Sequence, residues 1–364
     1  MIKVILVAGA RPNFMKIAPL MHEFKRRQES CEGRFSPLLV HTGQHYDISM
    51  SQIFFEELGI PKPDINLEVG SHSHAKQTAT VMDRFEDVCL QEKPDWVVVV
   101  GDVNSTMACT IVAAKMNIRV AHVEAGLRSF DRTMPEEINR IVTDSLADLL
   151  LTPSEDADQN LVREGVSPEK IRFVGNIMID TLESNLAAAR QKETYRKYGL
   201  KPKEYVYITL HRPANVDDPV KLKAIMNILG ELSFNYPVIF PAHPRTRKML
   251  EEIDFAFEGR KGFRIIETIG YHDSISLLEQ AKFVITDSGG LQEESSYLKV
   301  PCLTLRPNTE RPVTVSQGSN RLTRIECLNE DIESALNLSP DKLRIPELWD
   351  ANTAPRIVTA LQEG

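Results

Sequence analysis

The sequence predicts an α/β protein made of two halves, each a parallel sheet covered by helices on both faces. Three observations carry that prediction. Short β-branched runs alternate with helical patterns along the chain. The strand runs are continuous in Val, Ile and Leu, as strands buried on both faces must be. The alternation restarts near residue 205, after a long polar helix, and 364 residues are enough for two domains that each bury a core.

Taken in order, Ile2–Val7 reads as a strand followed by a helix over about Asn13–Arg27, and Pro37–Thr42 as a strand followed by a helix over Ser49–Leu58. Trp96–Val100 precedes a helix over Ser105–Met116, and Arg119–Val123 precedes one over Pro135–Ala147. After Phe173-Val-Gly-Asn a polar helix runs from Thr181 to Tyr198 and closes at Gly199. Tyr205–Leu210, Val238–Pro241, Phe263–Ile266, Phe283–Thr286 and Cys302–Leu305 are the strands of the second half, and 354–362 reads as a closing helix. The expected domains are residues 1–176, with the closing segment 354–364 as a candidate addition, and residues 177–353.

A net charge of −8 argues against general binding to nucleic acid or an anionic membrane, so any phosphate must meet a local basic pocket. Five cysteines without a C-x-x-C pair read as reduced thiols of a cytoplasmic protein. The first residues lack the flanks of a signal peptide, and no apolar run approaches the ~18 residues of a membrane span. Neither G-x-G-x-x-G nor a Walker A motif is present, which argues against tightly bound NAD and P-loop chemistry; no cofactor is expected. His41-Thr-Gly-Gln-His45 has i,i+4 spacing but leaves a strand through a glycine, so no metal site is assigned there, and His72-Ser-His74 reads as a polar loop.

Ligands of open parallel sheets bind beyond the carboxyl ends of the strands, which makes the residues just after each strand informative. Gly9-Ala-Arg11-Pro-Asn-Phe-Met-Lys16 surrounds the first strand–helix turn, Gly101-Asp102 follows the third strand, and Glu124 follows the fourth. Met134-Pro-Glu136-Glu137 starts a helix. Asp102, Glu124 and Glu136 therefore share one rim, where crowded like charges would raise a carboxyl pKa toward working pH; each alone is also explained as a cap or a dipole partner. In the second half, His211-Arg212, His243-Pro-Arg245 and Asp287-Ser288-Gly289-Gly290 end strands. The last of these opens a helix with two glycines, suiting either a phosphate on free N–H groups or an ordinary N-cap. Glu294, one turn into that helix, could accept ribose hydroxyls or be a surface residue.

Gly9-Ala-Arg-Pro…Lys16, Thr42-Gly-Gln-His45, Gly101-Asp102, His122-Val-Glu-Ala-Gly-Leu-Arg128, Pro135-Glu-Glu…Asn139-Arg140, His211-Arg212…Asn215, Asp287-Ser-Gly-Gly…Gln292-Glu-Glu294 and Thr309-Glu-Arg-Pro312 occur in that order. As a set, from residue 2 to about 322, they resemble the non-hydrolysing UDP-N-acetylglucosamine 2-epimerases. The resemblance implies a GT-B fold of two Rossmann-like domains with the active site in the cleft between them, a homodimer, and a place in cell-surface polysaccharide biosynthesis. It implies interconversion of UDP-GlcNAc and UDP-ManNAc through elimination of UDP to a 2-acetamidoglucal and re-addition.

Carried over by position, the resemblance gives Arg11, His211, Ser288, Gly289 and Gly290 to the UDP phosphates, with Arg311 nearby, and Glu294 to the ribose. It puts Lys16, Asp102, Glu124 and Glu136 around the sugar, with Asp102 and Glu136 as the proton-transfer pair and Glu124 positioning or sharing that work. His211 serves as phosphate ligand or leaving-group acid. Relatives activated by their own substrate carry glutamines at a second site; Gln44 and His45 are the candidates here, while the other segment reads Glu68-Val-Gly-Ser-His-Ser-His. The stretches 41–47 and 128–134 also resemble 2-epimerases of UDP-2,3-diacetamido-glucuronic acid. Two further readings, a GT-B glycosyltransferase and a nucleotide-sugar-binding regulator, would use the phosphate turn but not the three carboxylates.

Overall fold

A computed structural model describes residues 1–30, 32, 35–43, 59, 62–253 and 262–364, the side chains of Arg11 and Pro340 excepted. The chain forms two compact units, one of Met1–Glu183 with Glu347–Gly364, the other of Ser184–Pro346.

The first unit carries β1 (Ile2–Ala8), β2 (Phe35–His41), β3 (Ile65–Asn66), β4 (Trp96–Val100), β5 (Arg119–Val123), β6 (Leu149–Thr152) and β7 (Ile171–Phe173). They form one sheet in the order β3-β2-β1-β4-β5-β6-β7 with every pair parallel. Its described helices are α1 (Arg11–Glu29), α2 (His74–Glu92), α3 (Asn104–Lys115), α4 (Pro135–Leu146) and α5 (Glu155–Arg163). The all-valine run of β4 is buried, and Val97 and Val99 pack with Val81 and Phe85 of α2 and Cys109 of α3. Pro135 at the first position of α4 and the acidic Glu136 and Glu137 in its first turn suit a helix N-terminus.

The helix α6 (Ile177–Lys192) crosses from the first unit into the second, followed by α7 (Thr194–Lys197). The second unit contains β8 (Val206–Thr209), α8 (Pro213–Val216), α9 (Pro219–Leu232), β9 (Val238–Pro241), α10 (Pro244–Glu252), β10 (Phe263–Ile266), α11 (Tyr271–Gln280) and β11 (Phe283–Thr286). It continues with α12 (Gly289–Tyr297), β12 (Cys302–Leu305), α13 (Val313–Ser316), β13 (Asn320–Thr323) and α14 (Leu328–Leu336). The sheet order is β10-β9-β8-β11-β12-β13, again parallel throughout. The closing helix α15 (Thr353–Glu363) packs on α1 in the first unit, where the Arg27 guanidinium donates to Thr359 Oγ1 at 2.7 Å and to the Pro355 carbonyl at 2.9 Å. Asp180 caps this helix, accepting the Ala354 N–H at 2.8 Å.

Four differences from the sequence reading have local causes. The helix expected over 181–198 starts at Ile177 and breaks at Glu193, whose φ is +43°. The break is held because the Thr194 N–H donates to Ser276 Oγ at 3.0 Å and its hydroxyl to Asp273 at 2.5 Å. His74 opens α2, a helix that its polar first turn concealed, so 72–74 is not simply loop. β6 follows α4 almost directly; Asp148 ends the helix by pairing with Val120, each N–H bonded at 2.9 Å to an oxygen of the other residue. The short β3, β7 and β13 also carried no strong sequence signal, and the helix expected over 49–58 lies outside the described residues. Among the described residues, no helix is long and apolar enough to cross a membrane.

In both sheets the order reverses beside the first strand, between β1 and β4 and between β8 and β11. Such a reversal opens a crevice at the strand heads because the flanking connections leave in opposite directions.

Gly126 gives a test of the packing around β5. It holds φ +78°, and a Cβ there would lie 2.4 Å from the Ala157 carbonyl oxygen. Gly126→Ala should cost roughly 2–4 kcal/mol, from a left-handed residue plus an overpacked backbone contact. Gly70→Ala, at φ +73° with nothing within 4 Å, should lose only the conformational part. Urea unfolding midpoints of the two variants check the ranking.

Candidate active site

The turn after β1 is latched by one side chain. Asn13 Oδ1 accepts the N–H groups of Gly9 and Ala10 at 3.1 and 2.8 Å, while its Nδ2 donates 3.0 Å to the Val100 carbonyl at the head of β4. One turn into α1, Lys16 is buried and ion-paired with Glu124. Glu124 leaves β5 at φ +71°, a conformation that costs a non-glycine residue about 1–2 kcal/mol. It persists because its N–H bonds to the Leu151 carbonyl at 3.0 Å and its carboxylate to Lys16.

Asp102 follows β4 and is gripped twice by α4. Asn139 Nδ2 donates 2.8 Å to its carbonyl, and Arg140 Nη2 sits 2.5 Å from its Oδ2. Arg140 Nη1 also binds Glu137 Oε2 at 2.8 Å. Glu137 in turn accepts the Ser129 N–H and hydroxyl and the Phe130 N–H at 2.9, 3.0 and 2.9 Å, fastening the loop before α4 to the same helix. The Glu136 side chain, partly exposed in the first turn, makes no hydrogen bond or ion pair with another described residue. Of the three carboxylates expected on this rim, two thus face a cation, because α1 supplies Lys16 and α4 supplies Arg140.

In the second unit the head of β11 organises the loop after β8. Asp287 is fully buried; its carboxylate accepts the N–H of His211 and Arg212 at 3.1 and 2.9 Å and Asn215 Nδ2 at 3.1 Å. His211 Nδ1 lies 2.9 Å from Asp287 Oδ1, and the histidine side chain is 57% exposed, leaving Nε2 for a ligand. Burial pushes the Asp287 carboxyl up, but the His211 contact and the backbone donors win and hold it below the usual range.

Ser288 caps α12, its N–H bonded to Thr286 Oγ1 at 2.9 Å, so the free N–H groups of Gly289 and Gly290 open the helix. Arg311 lies over that opening, since a Cβ on Gly289 would come within 2.9 Å of its Nη1. Its Nε binds Glu293 at 2.6 Å. Arg306 grips Glu310 with two bonds of 3.1 and 2.7 Å; despite burial, Arg306 and Arg311 bring the Glu310 carboxyl down to about 2. Burial first, and then the charges of Arg306 and Arg311, lower Arg212, against the opposing effect of Glu310 and Asp287.

Glu294 is not a surface residue. Burial, with a smaller contribution from the charge of Glu293, raises its carboxyl to about 8 against the opposing Tyr271 hydroxyl. Arg11 begins α1, but its side chain, like Gln44 and His45, lies outside the described residues. In the second candidate segment, Gln77 is buried and accepts Asn104 Nδ2 at 2.7 Å. Among the described residues no cluster of His, Cys, Asp and Glu could hold a metal ion. Arg140, Asn139, Glu137, Arg306 and Asp287 received no role from the sequence; most stood inside quoted motifs, yet nothing in spacing said which side chains they would meet.

Two parallel α/β units, one with carboxylates and a lysine at its switch point and the other with an anion-favouring helix opening at its own, define a protein of the GT-B type. The chain belongs to the UDP-N-acetylglucosamine 2-epimerase family, whose model matches residues 28–362. It is 43% identical over 344 residues to the UDP-N-acetylglucosamine 2-epimerase of Methanocaldococcus jannaschii, covering 92% of each chain. It is 42% identical over 324 residues to the UDP-2,3-diacetamido-2,3-dideoxy-D-glucuronate 2-epimerase of Pseudomonas aeruginosa, covering 88% of each. The crystal structure of the M. jannaschii UDP-GlcNAc 2-epimerase in complex with UDP-GlcNAc and UDP superposes with a TM-score of 0.87 over 100% of both chains at 41% identity.

The raised Glu294 pKa has a sign that can be measured. Between the ordinary carboxylate range and about pH 8 the folded chain holds a proton that the unfolded chain lacks. The stability this proton carries is fully present below the unfolded pKa and is lost as pH rises through about 8, at roughly 1 kcal/mol per pH unit. Glu294→Gln, which mimics the neutral acid, should gain on the unmodified chain between pH 6 and pH 9. Chemical unfolding at the two pH values reads the difference, and a constant gap would contradict it.

Proposed function

We propose that the chain catalyses reversible epimerisation at C2 of UDP-GlcNAc to UDP-ManNAc by eliminating UDP to 2-acetamidoglucal and adding it back. The reaction is hard because the C2 proton has no neighbouring carbonyl to acidify it. Departure of UDP builds positive charge at C1, which labilises that proton; the leaving diphosphate then needs anion stabilisation, and both faces of the ring need acid/base groups. The observation that supports this reading is the division of exactly those two demands between the two switch points: Lys16, Asp102, Glu124 and Glu136 at one, and His211, the Ser288-Gly289-Gly290 turn and Arg311 at the other.

In this reading Asp102 and Glu136 move protons, Glu124 positions or shares that work, Lys16 faces the sugar, and Arg11 joins the phosphate ligands. His211 Nε2 binds the departing phosphate or protonates it, while Glu294 meets the ribose. A homodimer, a cytoplasmic setting and supply of the product to cell-surface polysaccharide synthesis belong to the same proposal. The second reading, epimerisation of UDP-2,3-diacetamido-glucuronic acid, is favoured by the 42% identity to the P. aeruginosa enzyme. Separate assays with the two nucleotide sugars, resolving the products, decide between them.

In deuterated water the product should carry deuterium at C2. Asp102→Asn should lower that exchange by about 10²–10⁴-fold while UDP still binds, because the amide keeps the shape but takes no proton. Exchange at the unmodified rate would remove Asp102 from the proton-transfer role. Ser288→Ala should weaken UDP binding by about 1–2 kcal/mol for one charge-assisted hydrogen bond, read by titration calorimetry.

A further inference from the structure

His122 and Asp144 form a buried link between the two loops that carry Asp102 and Glu124. His122 sits on β5 opposite Val99 of β4 and is fully buried. Its Nε2 lies 2.8 Å from the Gly101 carbonyl, while the Gly101 N–H donates to the Val123 carbonyl at 3.1 Å, so the peptide before Asp102 is held at both ends. His122 Nδ1 lies 2.6 Å from Asp144 Oδ1 on α4. The other oxygen of Asp144 accepts the Gly126 N–H at 3.1 Å, two residues past Glu124, and Arg128 Nη1 at 2.7 Å. Arg128 is anchored outward by two bonds to Glu164 of 2.8 and 2.7 Å. Burial pushes the Asp144 carboxyl up, but His122 and Arg128 outweigh it and keep it below the usual range.

The linked segments each contain left-handed backbone: Gly101 at φ +66°, Glu124 at +71° and Gly126 at +78°. Left-handed residues relax unless their surroundings hold them. An imidazole suits this place because it is rigid and carries a nitrogen on each side, one for the carboxylate and one for the carbonyl.

We propose that His122 and Asp144 are positioning residues that set the distance between Asp102 and Glu124 across the heads of β4 and β5, and so govern the proton-transfer step without touching substrate. The proposal rests on the 2-epimerase reading. It predicts that loosening the link lowers kcat while KM and UDP affinity stay put, since misplacing a reacting group costs rate more than binding.

The test compares His122→Gln, which keeps one donor for the Gly101 carbonyl, with His122→Phe, which keeps the volume and loses both nitrogens. Activity is measured per folded molecule on UDP-GlcNAc in deuterated water. The unmodified chain must first incorporate deuterium at C2 of UDP-GlcNAc or, failing that, of UDP-2,3-diacetamido-glucuronic acid, which then serves as the assay substrate; if it does so with neither, the 2-epimerase reading fails rather than the positioning role. Given that exchange, His122→Phe should lose at least a hundredfold in kcat, with His122→Gln recovering tenfold or more of the loss, both at KM and UDP Kd within about threefold of the unmodified chain. Equal kcat for the two variants, or losses that only follow the folded fraction, overturn the proposal. If neither variant folds, Glu164→Gln at the exposed end of the same chain of contacts replaces them. A kcat drop of about threefold at unchanged KM then supports the proposal, and an unchanged kcat overturns it.

Discussion

A charge removed from water persists only with a partner of opposite sign within hydrogen-bonding reach. Both switch points of this protein are built under that constraint. Lys16 and Glu124 are each buried and answer one another; Asp102 and Glu137 share Arg140; Glu310 holds Arg306; Glu293 holds Arg311. Removing one member of such a pair strands the other, so the pairs fix where the loops at the strand heads must run as well as what charge they present.

The same pairing explains why the two rims differ in character. At the first rim Lys16 answers Glu124 while Arg140 is shared by Asp102 and Glu137, leaving a polar and net acidic setting in which Glu136 stands apart. At the second, Arg212, Arg306 and Arg311 are met by Asp287, Glu310 and Glu293, and the N–H groups that open α12 add positive potential. At the first rim Gly101, Glu124 and Gly126 take left-handed backbone, and the His122–Asp144 link ties their segments together.

Family membership bears differently on reaction and on substrate. Relatives at nearly the same identity are named for UDP-GlcNAc and for a diacetamido-glucuronate, so 42–43% identity speaks for the shared chemistry more strongly than for the sugar. The residues that abstract and return a proton, and those that hold UDP, serve either sugar equally. Groups that meet C3 and C6 have to discriminate.

The sequence by itself determined the two parallel halves, because uninterrupted runs such as Trp96–Val100 and Cys302–Leu305 have no place except in a sheet buried on both faces. It also placed Lys16, Asp102, Glu124 and Ser288 just beyond strands, since the change from apolar run to Gly, Asp or Glu is a local signal. Only the tertiary structure decided their partners. The break at Glu193, the turn into β6 at Asp148, the burial of Glu294 and the pairing of Arg140 with Asp102 each depend on a contact between residues distant in the chain or on a neighbouring element. Hydrophobic periodicity records which face of an element is covered, but which buried charge meets which is settled only when the sheet order brings the strand heads together.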